Sequence, residues 1–369
     1  MKLQHMLGQL MFMGVSSTKL TTDEKKFITS NNIGGIVLFA RNVESPEQIH
    51  SLCTEIQKLR HDLPDKSPFY IGIDMEGGRV QRLKSPFTQW PSLQKLGALN
   101  SPSLCFQFSY CMGKELKSVG INLDFAPCLD VLTNPKNTVI GDRSLSSDPE
   151  MVSKLSSALV RGYLKSEIMS CVKHFPGHGN TLLDSHFDLP IESSDLNRLN
   201  EIELLPFKKA FKSRVDMVMT SHILFHNIDD KWPVTLSEIF LKKIIREECR
   251  YRGLIISDDL DMKALTNKYS TEDIAVRAIE AGVDMLLYCN EPLSPPLAIQ
   301  AITRAVADGR IKEEQIKSIY EKIQSHKTES LTQADPEPWS EAKQWIGHSD
   351  HQKIAQAILD GKVPEGLAS

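Results

Sequence analysis

Residues 69–74 read Phe-Tyr-Ile-Gly-Ile-Asp, an almost unbroken apolar run that ends in a carboxylate. A strand that is buried on both faces has this pattern, whereas a strand with one solvated face alternates apolar and polar residues. Strands buried on both faces are typical of parallel sheets that are covered by helices. The run therefore predicts an α/β fold built on a parallel sheet.

Seven other runs of this kind occur along the chain, and amphipathic helical patterns separate them. The eight predicted strands are 9–14, 35–39, 69–74, 122–126, 169–174, 217–222, 254–258 and 284–288. The first run contains Gln and Met and can also be interpreted as the end of a helix. Eight strand–helix units favour a closed (β/α)8 barrel of the TIM type over a six-stranded open sheet.

The end of the chain has a different composition. After Gln324 the sequence turns polar, and a last helical pattern follows from Trp339 onward. We therefore predict a single domain, in which 1–325 form the barrel and 326–369 form a polar linker and a short C-terminal helical extension packed on it.

The charge distribution narrows the choice of partners. The net charge is −4, and the 43 Lys and Arg residues are scattered along the chain. A basic stripe that could follow nucleic-acid phosphates or an anionic membrane is missing from the sequence. We expect a small solute as the partner, with no nucleic acid and no membrane.

The N-terminal sequence and the cysteines indicate the cellular compartment in which we expect the protein. The first ten residues lack the apolar stretch of a signal peptide, and no run of about 18 apolar residues occurs. The seven cysteines are an odd number without a Cys-x-x-Cys pair, and several lie in apolar runs. The sequence therefore predicts a cytoplasmic protein with buried thiols and without a metal site.

Ionisable residues lie at the ends of five predicted strands. They are Asp74, Glu76 and Arg79 at the third strand, Asp124 at the fourth, Lys173, His174 and His178 at the fifth, His222 at the sixth, and Asp258 and Asp259 at the seventh. The carboxyl ends of barrel strands open onto one mouth. A single Asp or His there more often caps a helix or fills a polar niche, but five such ends together favour a functional site.

Two of these regions contain candidates for chemistry. Alternation along the seventh strand points Asp258 into the mouth and Asp259 outward, so Asp258 is the better nucleophile and Asp259 the better cap for the next loop. The long loop after the fifth strand contains Asp184-Ser185-His186. An Asp two residues before a His can orient the ring and stabilise its protonated form, so Asp184 and His186 are a candidate acid/base pair.

At these motifs the chain resembles glycoside hydrolase family 3, specifically the β-N-acetylhexosaminidase branch that acts on cell-wall fragments. The shared segments are 8–10, 73–82, 122–127, 141–144, 173–179, 184–186 and 256–260. The resemblance implies a (β/α)8 barrel, which the strand pattern predicts independently. The β-glucosidases of family 3 carry a large second domain that this sequence does not contain, which favours the hexosaminidase branch.

The resemblance also implies an activity and a set of site residues. It implies a retaining β-N-acetylglucosaminidase of peptidoglycan recycling, acting on fragments of the N-acetylglucosamine–anhydro-N-acetylmuramic acid type without a metal or other cofactor. Asp258 would form a covalent glycosyl-enzyme, and His186, held by Asp184, would be the general acid and then the general base. The residues that would hold the terminal sugar are Asp74, Arg82, Arg143, Lys173 and His174.

Two other functions remain as alternatives. One is a metal-dependent hydrolase that uses His174, His178, His186, His222, Asp74 and Asp258 as ligands. The other is a sugar-binding barrel without catalysis. The sequence leaves open the aglycone and whether water or phosphate is the final acceptor, and we expect a monomer.

Overall fold

The computed structural model describes residues 1–182, 185 and 188–367. Its main strands are β1 (Met11–Gly14), β2 (Gly35–Leu38), β3 (Tyr70–Ile73), β4 (Leu123–Asp124), β5 (Met169–Phe175), β6 (Met217–Thr220), β7 (Leu254–Asp259) and β8 (Met285–Tyr288). They form one closed barrel of parallel strands in which β1 lies between β2 and β8. The predicted (β/α)8 barrel is therefore confirmed.

Helices separate and surround these strands. They are α1 (Leu3–Gln9), α2 (Thr22–Asn31), α3 (Pro46–Lys58), α4 (Leu93–Ala98), α5 (Pro102–Ser118), α6 (Pro149–Ser166), α7 (Leu196–Glu201), α8 (Leu204–Lys212), α9 (Lys263–Thr266), α10 (Thr271–Ala281), α11 (Ser294–Ala307), α12 (Glu313–Ser330), α13 (Trp339–Ala342) and α14 (Ser349–Leu359). A π-helical segment, Ile239–Glu248, lies between β6 and β7. A short hairpin, Met75–Gly77 with Val80–Gln81, follows β3.

The first apolar run contains both of the elements that its sequence allowed. Helix α1 ends at Gln9, and β1 begins two residues later at Met11. Phe12 pairs with Leu287 of β8, and Met13 pairs with Ile36 of β2. The run therefore closes the barrel between its first and last strands.

Two of these helices begin at residues whose side chains cap them. The side chain of Ser45 accepts a hydrogen bond from the Gln48 backbone N–H at 3.1 Å, and Pro46 follows it as the first residue of α3. Asp148 caps α6 through the Glu150 N–H at 3.0 Å. Both caps satisfy an N–H group that has no partner inside the helix.

Aromatic rings fill one end of the barrel, and two glycines make room for them. Phe12 stacks on Tyr70 with ring centroids 5.8 Å apart and meets Phe125 edge-on at 6.0 Å. A Cβ atom on Gly72 would lie 2.8 Å from the Phe125 ring, and one on Gly35 would lie 2.5 Å from the Phe12 ring. The glycine inside the run 69–74 is thus required by packing.

Six of the eight main strands end one or two residues away from the predicted end, β4 and β7 among them. Strand β4 covers only Leu123–Asp124, although hydrogen bonds to the neighbouring strands continue through the Phe125 N–H and the Ala126 carbonyl oxygen. Strand β7 runs one residue further than expected, and its pairing with β8 shifts register between Ile256 and Asp259. Such an irregularity re-aims the side chains at a strand end.

The C-terminal residues pack on the barrel as helices. Helices α13 and α14 lie beyond the linker, and α14 contacts α5. The predicted boundary at 325 falls inside α12, and the division into barrel and extension stays a prediction. All seven cysteines are free thiols. No helix within the described ranges is long and apolar enough to cross a bilayer.

The packing of Gly72 gives a first test. Gly72→Ala should lower the free energy of unfolding by about 1–3 kcal/mol, because the new methyl group overlaps the Phe125 ring. Urea denaturation measures the change. Phe125→Leu in the same chain should recover part of the loss, and additive losses in the double variant would contradict the steric explanation.

Candidate active site

Five charged side chains alternate in sign at the ends of β3 and β5 and on the adjoining loops. We call Asp74, Glu76, Arg82, Arg143 and Lys173 the charge cluster. Lys173 Nζ lies 2.7 Å from Asp74 Oδ1 and 2.7 Å from Glu76 Oε1. Arg143 donates two hydrogen bonds of 2.8 Å to Glu76, and Arg82 donates one of 3.0 Å to Asp74. Each carboxylate is therefore paired with two cations.

Burial and pairing act in opposite directions on these groups. Burial alone would raise the pKa of Asp74, but Lys173 and Arg82 hold it below its ordinary value. Glu76 is also buried, and Arg143 and Lys173 hold its pKa well below the ordinary range. Burial would lower the pKa of Lys173, but the two carboxylates raise it. The cluster therefore stays ionised at neutral pH.

A second buried carboxylate, Asp130, fixes His174. The ring Nδ1 of His174 donates to Asp130 Oδ2 at 2.7 Å, and the His174 backbone N–H donates to Oδ1 at 3.2 Å. Nε2 of His174 lies 3.3 Å from an Arg143 nitrogen and is oriented to accept. Although burial favours the neutral acid, His174 holds the pKa of Asp130 well below its ordinary value. Asp130 thus sets the tautomer and the orientation of the imidazole.

The charge cluster and His174 open onto a cavity of about 580 Å³ that also contains Asp258. The strand ends of β3, β5 and β7 supply most of its ionisable walls, and Arg143 comes from the segment after β4. Phe39, Phe125, Met219 and Leu287 add apolar surface. The structure therefore places Asp74, Arg82, Arg143, Lys173 and His174 around one space with Asp258.

Asp258 and Asp259 both line this cavity. Asp259 thus borders the cavity together with Asp258, at the register shift in β7 that interrupts the simple alternation of side chains. Asp259 still caps the next loop, since its Oδ1 accepts the Asp261 N–H at 3.1 Å. Burial, Asp261 and Asp258 together raise the pKa of Asp259 to about 7.

Asp184 and His186 lie outside the described residues, but the chain next to them is held in place. The His178 backbone N–H donates to Asp130 Oδ1 at 2.6 Å. Ser185 is buried, its hydroxyl lies 3.3 Å from His178 Nε2, and its carbonyl accepts the Ala264 N–H at 3.2 Å. Ser185 is thereby connected both to the loop after β5 and to the segment after β7.

The other predicted strand-end residues have structural partners. Asp124 is fully buried and accepts hydrogen bonds from the Met75 N–H at 2.9 Å and the Tyr163 hydroxyl at 2.8 Å. His222 lies 2.9 Å from the Asp259 carbonyl oxygen and 2.8 Å from the Thr235 hydroxyl. The side chains of Asp124 and His222 support the site and do not line the cavity.

A metal site finds little support in this geometry. In the part of the chain that the structure describes, one group of three potential ligands occurs, Cys128, Asp130 and His174. These side chains already bond to one another, with Cys128 Sγ 3.0 Å from Asp130 and His174 Nδ1 2.7 Å from Asp130. The described members of the predicted ligand set are not brought together as such a group.

Sequence reasoning named Glu76 at a strand end but gave it no role in the site, and it missed Asp130. Glu76 stands two residues after Asp74, so alternation along an extended chain already places the two carboxylates on one side. Asp130 follows Pro127 in an irregular segment. Its role depends on contacts with β5 that no local pattern contains.

Comparisons with known proteins point to one family. The model described as the glycosyl hydrolase family 3 N terminal domain matches residues 2–326. A β-hexosaminidase of Hydrogenovibrio crunogenus is 35% identical over 312 residues, which are 82% of this chain and 85% of the relative. A β-hexosaminidase of Pseudomonas aeruginosa is 34% identical over 303 residues, 81% of this chain and 87% of the relative.

Two solved structures share the fold. A family 3 β-N-acetylglucosaminidase from Paenibacillus superposes with a TM-score of 0.91 at 34% identity, over 98% of this chain and 69% of that one. NagZ from Neisseria gonorrhoeae, solved with N-trifluoroacetyl-D-glucosamine, superposes with a TM-score of 0.77 at 29% identity, over 96% and 98% of the two chains.

The charge cluster makes a pH-dependent contribution to stability. Glu76→Gln should lower the free energy of unfolding at pH 7 by about 3–5 kcal/mol, because it removes a buried partner of two cations. Since the folded pKa of Glu76 is depressed, this contribution is full above its ordinary pKa of 4.5 and declines as the pH falls below it. Denaturant titrations between pH 7 and pH 3.5 should show the difference shrinking.

The exposed pair of Lys117 and Glu167 provides the control, because Glu167→Gln should cost about 1 kcal/mol or less. A difference for Glu76→Gln that is independent of pH would contradict the ionised state of the cluster.

Proposed function

The chain belongs to glycosyl hydrolase family 3, and from this premise we propose that it is a retaining β-N-acetylglucosaminidase that removes terminal N-acetylglucosamine from cell-wall fragments during peptidoglycan recycling. The β-N-acetylhexosaminidase class agrees with the curated relatives and the solved structures. One observation carries the proposal for the site: the charge cluster and Asp258 face the same cavity.

In this proposal, the charge cluster and His174 bind the non-reducing sugar. The side chain of Asp74 is 18% exposed and that of Arg82 is 31% exposed, so both reach the cavity while remaining paired. Sugar hydroxyls need several directional donors and acceptors, and charged side chains on strand ends supply them with little freedom to move. The fixed imidazole of His174 adds one more polar edge beside Arg143.

Asp258 is the proposed nucleophile. Its carboxylate already accepts the Asp259 backbone N–H at 2.8 Å, which fixes one oxygen. The other oxygen would bond to the anomeric carbon while the bond from that carbon to the leaving oxygen breaks. The resulting glycosyl ester is then cleaved by water, which leaves the product with its original anomeric configuration.

His186, oriented by Asp184, is the proposed proton carrier. It would give a proton to the leaving oxygen in the first step and take one from water in the second. After the first step the imidazole is neutral and does not repel an anionic aglycone such as a lactyl-bearing muramic residue. Ser185, the residue between Asp184 and His186 in the sequence, is hydrogen-bonded to His178 and to the Ala264 N–H.

The organisation and setting of the chain are part of the same proposal. We infer that 1–325 form the catalytic barrel and 326–369 a linker and C-terminal helical extension, in a cytoplasmic monomer. Six of the seven free cysteines are buried, and the charges are of mixed sign, which suits a reducing compartment and a small sugar substrate without nucleic acid.

Replacing the nucleophile is the first test of the mechanism. Asp258→Asn should lower kcat by on the order of 10⁴-fold without unfolding the protein. A chromogenic β-N-acetylglucosaminide, compared with the β-glucoside, measures both the activity and the sugar preference. Asp308→Asn, an exposed change of the same kind, should retain full activity.

The same assay addresses the alternatives. Full turnover by Asp258→Asn would remove the retaining mechanism, and loss of wild-type activity on exhaustive chelation would favour a metal-dependent hydrolase. Binding of the sugar without turnover would favour a sugar-binding barrel. Added phosphate shows whether a glycosyl phosphate forms in place of the hydrolysis product.

Replacing the proton carrier should have an effect that depends on the leaving group. His186→Ala should reduce kcat/KM on muramic disaccharides by about 10²-fold or more, because their leaving oxygen needs a proton. Aryl glycosides with acidic phenols should lose far less in the glycosylation step. Equal losses on both substrates would show that His186 is not the acid.

A further inference from the structure

The C-terminal extension reaches the sugar-binding side of the barrel through a buried carboxylate. Glu115, on α5, is only 3% exposed at its side chain, and His351, on α14, is 4% exposed. His351 Nδ1 donates to Glu115 Oε1 at 2.9 Å. The same carboxylate accepts hydrogen bonds from the Thr88 hydroxyl and, at 3.0 Å, from the Thr88 N–H. Glu115 therefore joins α14 to the loop at Thr88.

The loop at Thr88 is in turn hydrogen-bonded to Gln81, the residue before Arg82. The Gln81 side chain donates to the carbonyl oxygens of Thr88 and Leu83, each at 2.9 Å, and accepts the Trp90 N–H at 3.0 Å. Gln81 is buried and ends the hairpin that follows β3. Arg82 comes next in the chain, pairs with Asp74 and lines the cavity. Its backbone position thus depends on the fold of the loop.

The extension also contacts this loop directly. Gly347 has φ +58°, and a Cβ atom there would lie 2.3 Å from the Pro86 carbonyl oxygen. The Trp90 ring lies 6.3 Å from the His351 ring and packs edge-on against Phe108 at 4.9 Å. Two separate contacts therefore hold the loop between α5 and the extension.

We propose that residues 339–359 position Arg82 for binding the sugar, through the series His351, Glu115, Thr88 and Gln81. The proposal rests on the proposed function, since it assumes that Arg82 contacts the substrate. The matched domain ends at residue 326, so the extension lies outside it. Its role would be to fix one binding residue, without contact to the reacting atoms.

Steady-state kinetics of His351→Gln test the proposal. With an N-acetylglucosaminide substrate, KM should rise on the order of 5-fold while kcat changes by about twofold or less. Gly347→Ala should give the same pattern by displacing the extension from Pro86, and it serves if His351→Gln folds poorly. Thr88→Val should also raise KM, whereas Thr88→Ser keeps the hydroxyl and should restore it. Lys353→Ala, with a side chain 74% exposed on α14, is the control and should behave as wild type.

A double-variant cycle separates positioning from general loss of stability. In an Arg82→Ala background, His351→Gln should raise KM no further, because the residue through which it acts is gone. Multiplying effects on KM, or a lowered Tm with unchanged KM in the single His351 variant, would overturn the proposal while the proposed function stands. An unchanged KM for Arg82→Ala alone would remove the sugar-binding role of Arg82 and the positioning role with it.

Discussion

The site depends on the need to pair charges that are buried together. Lys173 lies almost entirely inside the protein, and it stays charged because Asp74 and Glu76 each approach it at 2.7 Å. For the same reason, Glu76 is paired with Arg143 in addition to Lys173. Asp74 is likewise paired with Arg82 in addition to Lys173. Removing any member leaves its partners with fewer opposite charges in a largely buried cluster. The groups proposed to hold the sugar are therefore fixed before the substrate arrives, which reduces the reorganisation needed on binding.

The barrel makes this pairing possible because its strands fix the backbone position of the charged residues. Asp74 directly follows β3, and Lys173 lies in β5, two strands further around the barrel. Ring packing of Phe12, Tyr70 and Phe125 fills the interior, and Gly72 leaves the space that these rings need. The positions of the charges are thus set by strands that cannot shift without disturbing the core.

The sequence was sufficient for the barrel and for most of the cavity wall. Runs such as 69–74 are buried on both faces, so their apolar composition predicts a parallel sheet. The polar residues at the ends of the runs predict the mouth of the barrel. Local patterns could not locate the register shift in β7, because it arises from pairing with β8, and so they did not predict that Asp259 borders the cavity. Asp130 was missed for a similar reason: its carboxylate accepts four hydrogen bonds from Cys128, His174 and His178, and only the folded chain brings these together.

The carboxylates in the cavity wall give a reason why a histidine is suited to carry the proton. Asp258 and Asp259 already line one wall, and burial with neighbouring carboxylates raises the pKa of Asp259 to about 7. A further carboxylic acid at the position proposed for His186 would add another negative charge on deprotonation. That charge would disfavour ionisation of its neighbours, including the proposed nucleophile. An imidazole becomes neutral when it loses its proton, so it can act as acid and base without competing with Asp258 for the ionised state.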